Sequence, residues 1–215
     1  MRIRGAIFDV DGTLLDSMFI WDTIGETYLR SIGYEPREKL NEVFKNMSLF
    51  QAARYYRTEY GVTLSIDEIM NGVNAMLERY YRFEVSLRPG VAELLAQLQA
   101  SGVKLCIATA TDRYLVEAAL ERCGVLSCFG AIFTCNEVGH GKDEPDIFEG
   151  ALRFLGTEKA ETVVFDDALY AVRTAKEAGF PVAVIYDSHE KNQEGLRALA
   201  DFYIEDFSQV SAEDF

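Results

Sequence analysis

The chain has 215 residues, of which 49% are hydrophobic and 26% charged, which suits a water-soluble globular protein of one large or two modest domains. No apolar run approaches the roughly 20 residues that span a bilayer, so a membrane role is not expected. A formal net charge of -14 sets the surface against nucleic acid and anionic membranes, so an anionic substrate must be drawn in by a local positive site.

The first element is an apolar strand, Ile3, Ala6, Ile7 and Phe8, and it runs into Asp9-Val10-Asp11-Gly12-Thr13-Leu14-Leu15-Asp16-Ser17. Asp9 and Asp11 are costly at a buried strand end unless paired or bound to a cation. A plain Asp-Gly turn is the duller reading. The two carboxylates also interrupt the N-terminal apolar segment before any signal-like region develops, which makes a cytoplasmic location the expectation. Asp16 and Ser17 are suited to start the next helix.

From Phe19 to Tyr80 the spacing is helical: Ile20, Ile24 and Tyr28, then Val43, Phe44 and Met47, then Ile69, Val73, Met76, Leu77 and Tyr80. Tyr55-Tyr56 and Tyr80-Tyr81 read as packing within this helical segment, with lining of the substrate pocket as the alternative, and Met18, Phe19 and Trp21 suggest an apolar wall beside the site, with anchoring of the helical segment as the alternative for Trp21. Arg54, Arg57, Arg79 and Arg82 read as a solvated face, with substrate contact as the alternative. Lys39 and Lys45 are the only lysines of this segment, and neither has a catalytic setting.

From Pro89 the pattern alternates helices with short apolar strands, expected at Val103–Ala108, Ala131–Phe133, Thr162–Phe165 and Val182–Ile185. Pro89 suits a first helical turn, Asp112 a cap, and Gly102 and Gly179 helix ends. This alternation predicts an α/β fold, a Rossmann-like parallel sheet with helices on both faces. The helical segment is then an insertion leaving the end of the first strand. The expected division is a core of residues 1–14 and 86–215 and an all-helical cap of residues 15–85. The acidic end, Glu205 to Phe215, is expected to fray.

Four cysteines, Cys106, Cys123, Cys128 and Cys135, form no C-x-x-C pair, so neither a disulfide framework nor a zinc site is expected. His140 and His189 read as loop residues, because the chemistry that follows needs no imidazole.

In open parallel sheets, ligands gather at the carboxyl ends of the strands. There the sequence puts Asp9 and Asp11, then Thr109-Ala110-Thr111, then Asp166-Asp167, with Lys142 in the turn Gly139-His140-Gly141-Lys142. The set suits phosphoryl transfer: Asp9 to attack phosphorus, Asp11 to move a proton, and Asp167 to hold a hard cation. Thr109 and the amide of Ala110 would hold phosphoryl oxygens, and Lys142 would balance the carboxylates.

Taken together, these blocks resemble the haloacid dehalogenase superfamily, in its phosphatase and phosphomutase branch with a helical cap. Phe8 to Ser17 is similar to the first motif, Ile107 to Thr111 to the second, Gly141 to Phe148 to the third and Val164 to Ala168 to the fourth. The resemblance implies Mg2+ as cofactor and an aspartyl-phosphate on Asp9, with Asp11 as general acid and base. It implies a metal held by Asp9, the backbone carbonyl of Asp11 and Asp167, with Asp166 supporting from outside the ligand set.

Two departures stand out. Asp143 and Glu144 follow Lys142 where proline is common, and Ala168-Leu169-Tyr170-Ala171 replaces the serine and glycine that usually continue the fourth block.

The expected function is hydrolysis of the phosphomonoester of a small phosphorylated metabolite. The alternatives are a β-phosphoglucomutase-like sugar phosphomutase and a catalytically idle binding module. A 2-haloacid dehalogenase is disfavoured by the presence of Asp11. A phosphonate hydrolase is disfavoured for want of a suitable cap lysine. No nucleic-acid or membrane partner is expected, and a monomer is the default.

Overall fold

The computed structural model describes residues 3–44 and 47–215. Lys45, weighed above as a cap lysine, lies outside them. Strand β1 (Gly5–Phe8) is followed by helices α1 (Met18–Ser31), α2 (Leu40–Phe44), α3 (Leu49–Glu59) and α4 (Ile66–Phe83). Helix α5 (Val91–Ala100) then leads into strand β2 (Lys104–Thr109) and helix α6 (Arg113–Arg122). Strand β3 (Ile132–Thr134) precedes α7 (Cys135–Val138) and α8 (Asp146–Leu155). After these come β4 (Thr162–Asp166), α9 (Leu169–Glu177), β5 (Val182–Ile185), α10 (Gln193–Leu199) and β6 (Phe202–Ile204).

The strands form one six-stranded sheet in the order β3-β2-β1-β4-β5-β6, and every neighbouring pair is parallel. β1 and β4 are buried along their whole length, as a central strand covered on both faces must be. Phe8 is level with Ile107 of β2 and Phe165 of β4, and the Phe8 and Phe165 rings stack at 4.2 Å. That register carries Asp9, Thr109 and Asp166 to the same edge of the sheet.

Each helix of the inserted segment is built on its own apolar face. α4 buries Ile69, Met70, Val73, Leu77 and Tyr81. α3 and α4 both open with a capping box, Ser48 with Gln51 and Ser65 with Glu68, satisfying orphan amide donors at their N-termini. α4 also packs on α6 of the core. Among the described residues, no helix is long and apolar enough to cross a membrane.

Several local expectations are corrected. The strand expected at Ala131–Phe133 runs over Ile132–Thr134, and β6 was not anticipated. Pro89 lies outside α5, because Gly90 takes the position before the helix at a φ of +83. A β-carbon on Gly90 would fall 2.4 Å from the backbone carbon of Phe207, so the C-terminal tail seats on this turn. That tail does not fray. Phe207 and Phe215 are buried, and the Phe215 ring meets Phe165 at 5.2 Å and Phe202 at 4.9 Å.

Ser17 and Asp112 do precede α1 and α6, but neither side chain caps its helix. Both are engaged elsewhere, as described below. All four cysteines are free, and burial pushes the Cys106 thiol up to about 12.

Candidate active site

Asp9, the residue after β1, is 8% exposed and donates its amide to the Phe165 carbonyl at 2.9 Å. Asp166 ends β4, and Asp167 follows it. One carboxylate oxygen from each of Asp9, Asp166 and Asp167 lies within 4.8 Å of the others. Lys142 Nζ donates to Asp9 and, at 2.8 Å, to Asp166. Thr13 Oγ1 donates to Asp167 at 3.2 Å. Asp9 and Asp167, which arrive from opposite ends of the chain, therefore share one buried space.

The charges do not balance: three buried carboxylates face one ammonium. Burial pushes Asp9 up to about 7, with Asp166 and Asp11 adding to the rise and Lys142 opposing it. Burial, then Asp166, Asp9 and Asp187, hold Asp167 well above the usual carboxylate range. Burial alone would lower Lys142, but Asp166 and Asp9 outweigh it and hold the ammonium well above its ordinary value. An all-oxygen donor set with surplus negative charge fits a hard divalent cation such as Mg2+.

The loop after β1 packs closely against this cluster. Gly12 has a φ of +77, and a β-carbon there would lie 2.4 Å from Asp167 Oδ2. Arg88, on the return from the helical segment, donates to the Gly12 carbonyl at 2.6 Å and pairs with Asp187 at 2.9 Å. His189 is half-buried rather than a free loop residue, since it meets Asp187 at 2.6 Å and Asp22 of α1 at 3.2 Å. His140 is exposed.

Asp11 faces a different set of partners. Its Oδ1 accepts from Ser17 Oγ and from the Tyr81 hydroxyl, each at 2.5 Å, and its Oδ2 accepts from Thr111 Oγ1 at 2.6 Å. Tyr81 in turn accepts from Trp21 Nε1 at 3.1 Å. Burial and the neighbouring Asp11 hold the Tyr81 phenol well above its usual range, so it stays a donor.

Thr109 is fully buried at the end of β2, and its hydroxyl accepts from the Thr111 amide at 3.1 Å. Ala110 follows it in the loop between β2 and α6.

The two sequence departures have simple consequences. Asp143 and Glu144 are exposed, and the Asp143 carboxylate folds back over Gly141, where a β-carbon would lie 2.4 Å from its Oδ1. At the fourth block, Asp166 Oδ1 accepts from the Ala168 amide at 3.0 Å, which opens α9 without a serine.

Sequence reasoning missed Thr13 and Thr111, took Tyr81 chiefly as packing, and gave Ser17 a capping role. Thr13 and Ser17 lie inside the first block, and Thr111 closes the second, so their hydroxyls were a readable signal. Tyr81 offered none, because only the tertiary packing of α4 brings it to Asp11. Arg79 and Arg82 pair with Glu84 and Glu78 on the exposed side of α4, whereas Arg54 and Arg57 line a surface depression on the inserted segment.

Comparison with known proteins adds independent support. The haloacid dehalogenase-like hydrolase family matches residues 6–185. Protein CbbY of Cereibacter sphaeroides is 30% identical over 216 residues, covering 93% of each chain. A probable pseudouridine-5'-phosphatase of Drosophila melanogaster is 29% identical over 218 residues, 96% of this chain and 94% of its own. The crystal structure of an aspartate-to-asparagine variant of CbbY from Rhodobacter sphaeroides, in complex with Xylulose-(1,5)bisphosphate, superimposes with a TM-score of 0.84 at 27% identity and 96% coverage of both chains. With a parallel sheet that gathers these carboxylates at one edge and relatives named as phosphatases, the chain belongs to the haloacid dehalogenase-like hydrolases, as a hydrolase of phosphate esters.

Proposed function

We propose that the protein is a magnesium-dependent phosphomonoester hydrolase that works through an aspartyl-phosphate on Asp9. The observation that carries this reading is the convergence of Asp9, Asp166 and Asp167 around one buried space, with Lys142 as their only cationic partner among the described residues. Asp9, Asp167 and the backbone carbonyl of Asp11 would hold Mg2+. Asp166 is already engaged by Lys142 and the Ala168 amide and supports them from outside the ligand set. When bound, the ion offsets the negative charge that builds on the phosphoryl oxygens.

The residues then divide the work. Lys142, with Thr109 and the Ala110 amide, holds the phosphoryl oxygens. An Asp9 carboxylate oxygen attacks phosphorus as the ester P–O bond breaks, and protonated Asp11 gives its proton to the departing alkoxide. Water then attacks the phosphorus of the acyl phosphate. Asp11 takes the proton from that water, and Asp9 is freed as the carboxylate with release of inorganic phosphate.

Residues 15–85 act as the cap that excludes water over a core of residues 1–14 and 86–215. The complex of the CbbY variant with a sugar bisphosphate supports a small phosphorylated metabolite of the sugar class as substrate.

The test is phosphate release from p-nitrophenyl phosphate and from an alkyl phosphate, with Mg2+ and with a chelator. Release is expected only with the metal, and Asp9→Asn is expected to abolish it while leaving the fold intact. Asp11→Asn is expected to cost more on the alkyl ester, whose leaving group needs the proton. Turnover retained by Asp9→Asn would sink the nucleophile assignment.

A further inference from the structure

Helix α4 meets the core through two polar side chains on one face. Asn74 and Tyr81 are seven residues apart, so they project in the same direction, roughly 10 Å apart along the axis. Tyr81 reaches Asp11. Asn74 Nδ2 donates to Asp112 Oδ2, and Asp112 Oδ1 accepts from Asn136 Nδ2 at 3.3 Å. Asp112 directly follows Thr111, whose hydroxyl is bonded to Asp11.

An ionised carboxylate only accepts hydrogen bonds, so the orientation of the Asn74 amide is set by its partner. The nitrogen faces Asp112, and the oxygen must face away from it. Asn74 is 4% exposed, yet its Oδ1 has no hydrogen-bond partner. Among the described residues the other buried side-chain atom in this state is Glu161 Oε2, and that atom lies 3.7 Å from the Arg4 guanidinium. Asn74 Oδ1 is therefore a buried acceptor that faces no donor.

Leaving a buried amide oxygen unpaired is costly, and the rest of this face is apolar or bonded: Ile69, Met70, Val73 and Leu77 pack, and Tyr81 is satisfied. An aliphatic side chain at position 74 would avoid the cost. The position lies where α4 meets Asp112, at the end of the loop of residues 110–112 between β2 and α6. In the reaction argued above, the organic group leaves phosphorus toward Asp11, on the side of that loop that α4 meets.

We propose that Asn74 is a specificity-determining residue whose side-chain oxygen accepts a hydrogen bond from a hydroxyl on the organic part of the phosphate ester. The inference rests on the phosphatase reading and narrows its substrates to hydroxylated esters, sugar or polyol phosphates, over plain alkyl phosphates. A site built to receive a hydroxyl rejects an analogue that lacks it, because the buried acceptor is then left unpaired.

The experiment compares glycerol 3-phosphate and ribose 5-phosphate with propyl phosphate, using the whole chain with Mg2+. Wild type is expected to favour the hydroxylated esters in kcat/KM. Asn74→Leu and the smaller Asn74→Ala are expected to reduce that preference about tenfold, through KM for the hydroxylated esters, with cooperative thermal unfolding as the check that each variant is folded. An unchanged preference in either folded variant overturns the inference. So does a wild type that turns over all three esters alike, a comparison that needs no variant to fold. If wild type releases phosphate neither from these esters nor from p-nitrophenyl phosphate with Mg2+, the phosphatase reading falls and takes this inference with it; release from p-nitrophenyl phosphate with no preference for, or no turnover of, the hydroxylated esters overturns this inference alone.

Discussion

The Tyr81 hydroxyl, on a helix of the inserted segment, donates to the Asp11 carboxylate at 2.5 Å, a link across 70 positions of sequence. Asp11 is thereby gripped from three directions: Ser17 where the chain leaves the core, Thr111 in the loop after β2, and Tyr81 from above. A carboxylate bonded in this way has one orientation. The position of α4 and the orientation of the Asp11 carboxylate are therefore coupled.

Tyr81→Phe removes one donor and strands the Trp21 indole N–H, while the ring keeps its packing. The expected result is a fall of about tenfold in kcat on an alkyl phosphate, with a smaller fall on p-nitrophenyl phosphate, whose leaving group needs little protonation. Steady-state kinetics on the two esters checks this. Equal losses on both would show that Tyr81 supports the site generally and does not aim Asp11.

The parallel sheet was legible because β-α alternation leaves few arrangements, and the four motif blocks fall at strand ends where such a sheet collects ligands. The meeting of Asp9, Lys142 and Asp167 in one place was readable for the same reason. The partners of Asp11 were less so. Ser17 looks like a helix cap in any linear reading, and its hydroxyl goes instead to a carboxylate six residues back. Tyr81 and Asn74 fit the helical periodicity of α4 as well as any packing residue, and only the docking of α4 on the core separates them from Leu77. The tail was misread for a different reason. Its acidic composition suggests solvation, but Phe207 and Phe215 are buried and anchor it.

The carboxylate cluster predicts a pH-dependent response to metal. Asp9 is raised to about 7 from an ordinary value near 3.8, and Asp167 is raised as well. Between those limits the unfolded chain has lost a proton that the folded chain keeps, so the contribution of these groups to stability is fully present below the unfolded value and is lost as pH rises through the folded one. The melting temperature of metal-free protein is therefore expected to fall from pH 5 to pH 7.5 on account of this cluster. Added Mg2+ favours the ionised carboxylates, so the stabilisation it gives should grow over the same range. Thermal scans at matched ionic strength, with Mg2+ and with a chelator, provide the check, and a metal effect independent of pH would count against the cluster as the binding site.

Gly12 couples backbone conformation to the same cluster. Its φ of +77 disfavours any side chain, and an added methyl would sit 2.4 Å from Asp167 Oδ2 and 2.9 Å from Met18 Cγ. Gly12→Ala is expected to cost about 2 kcal/mol of stability from strain and to displace Asp167. Activity should fall by more than the folded fraction does, and the Mg2+ concentration giving half-maximal turnover should rise. Turnover at wild-type level with ordinary metal dependence would mean that the loop relaxes without disturbing Asp167.

The C-terminal phenylalanine closes the core beneath the site. Phe215 is 3% exposed and packs edge-on against Phe165, the residue that immediately precedes Asp166 and stacks on Phe8 before Asp9. Phe215→Ala leaves a cavity beside the two central strands, at a cost of about 3 kcal/mol. For a chain of this size that corresponds to roughly 9 °C in melting temperature. Because Phe165 lies in β4, paired with β1 on one side and β5 on the other, the strand ends that carry Asp9 and Asp166 should stay in place, and kcat below the transition should be little affected. A melting temperature unchanged in Phe215→Ala would show that the tail does not pack against the sheet in solution.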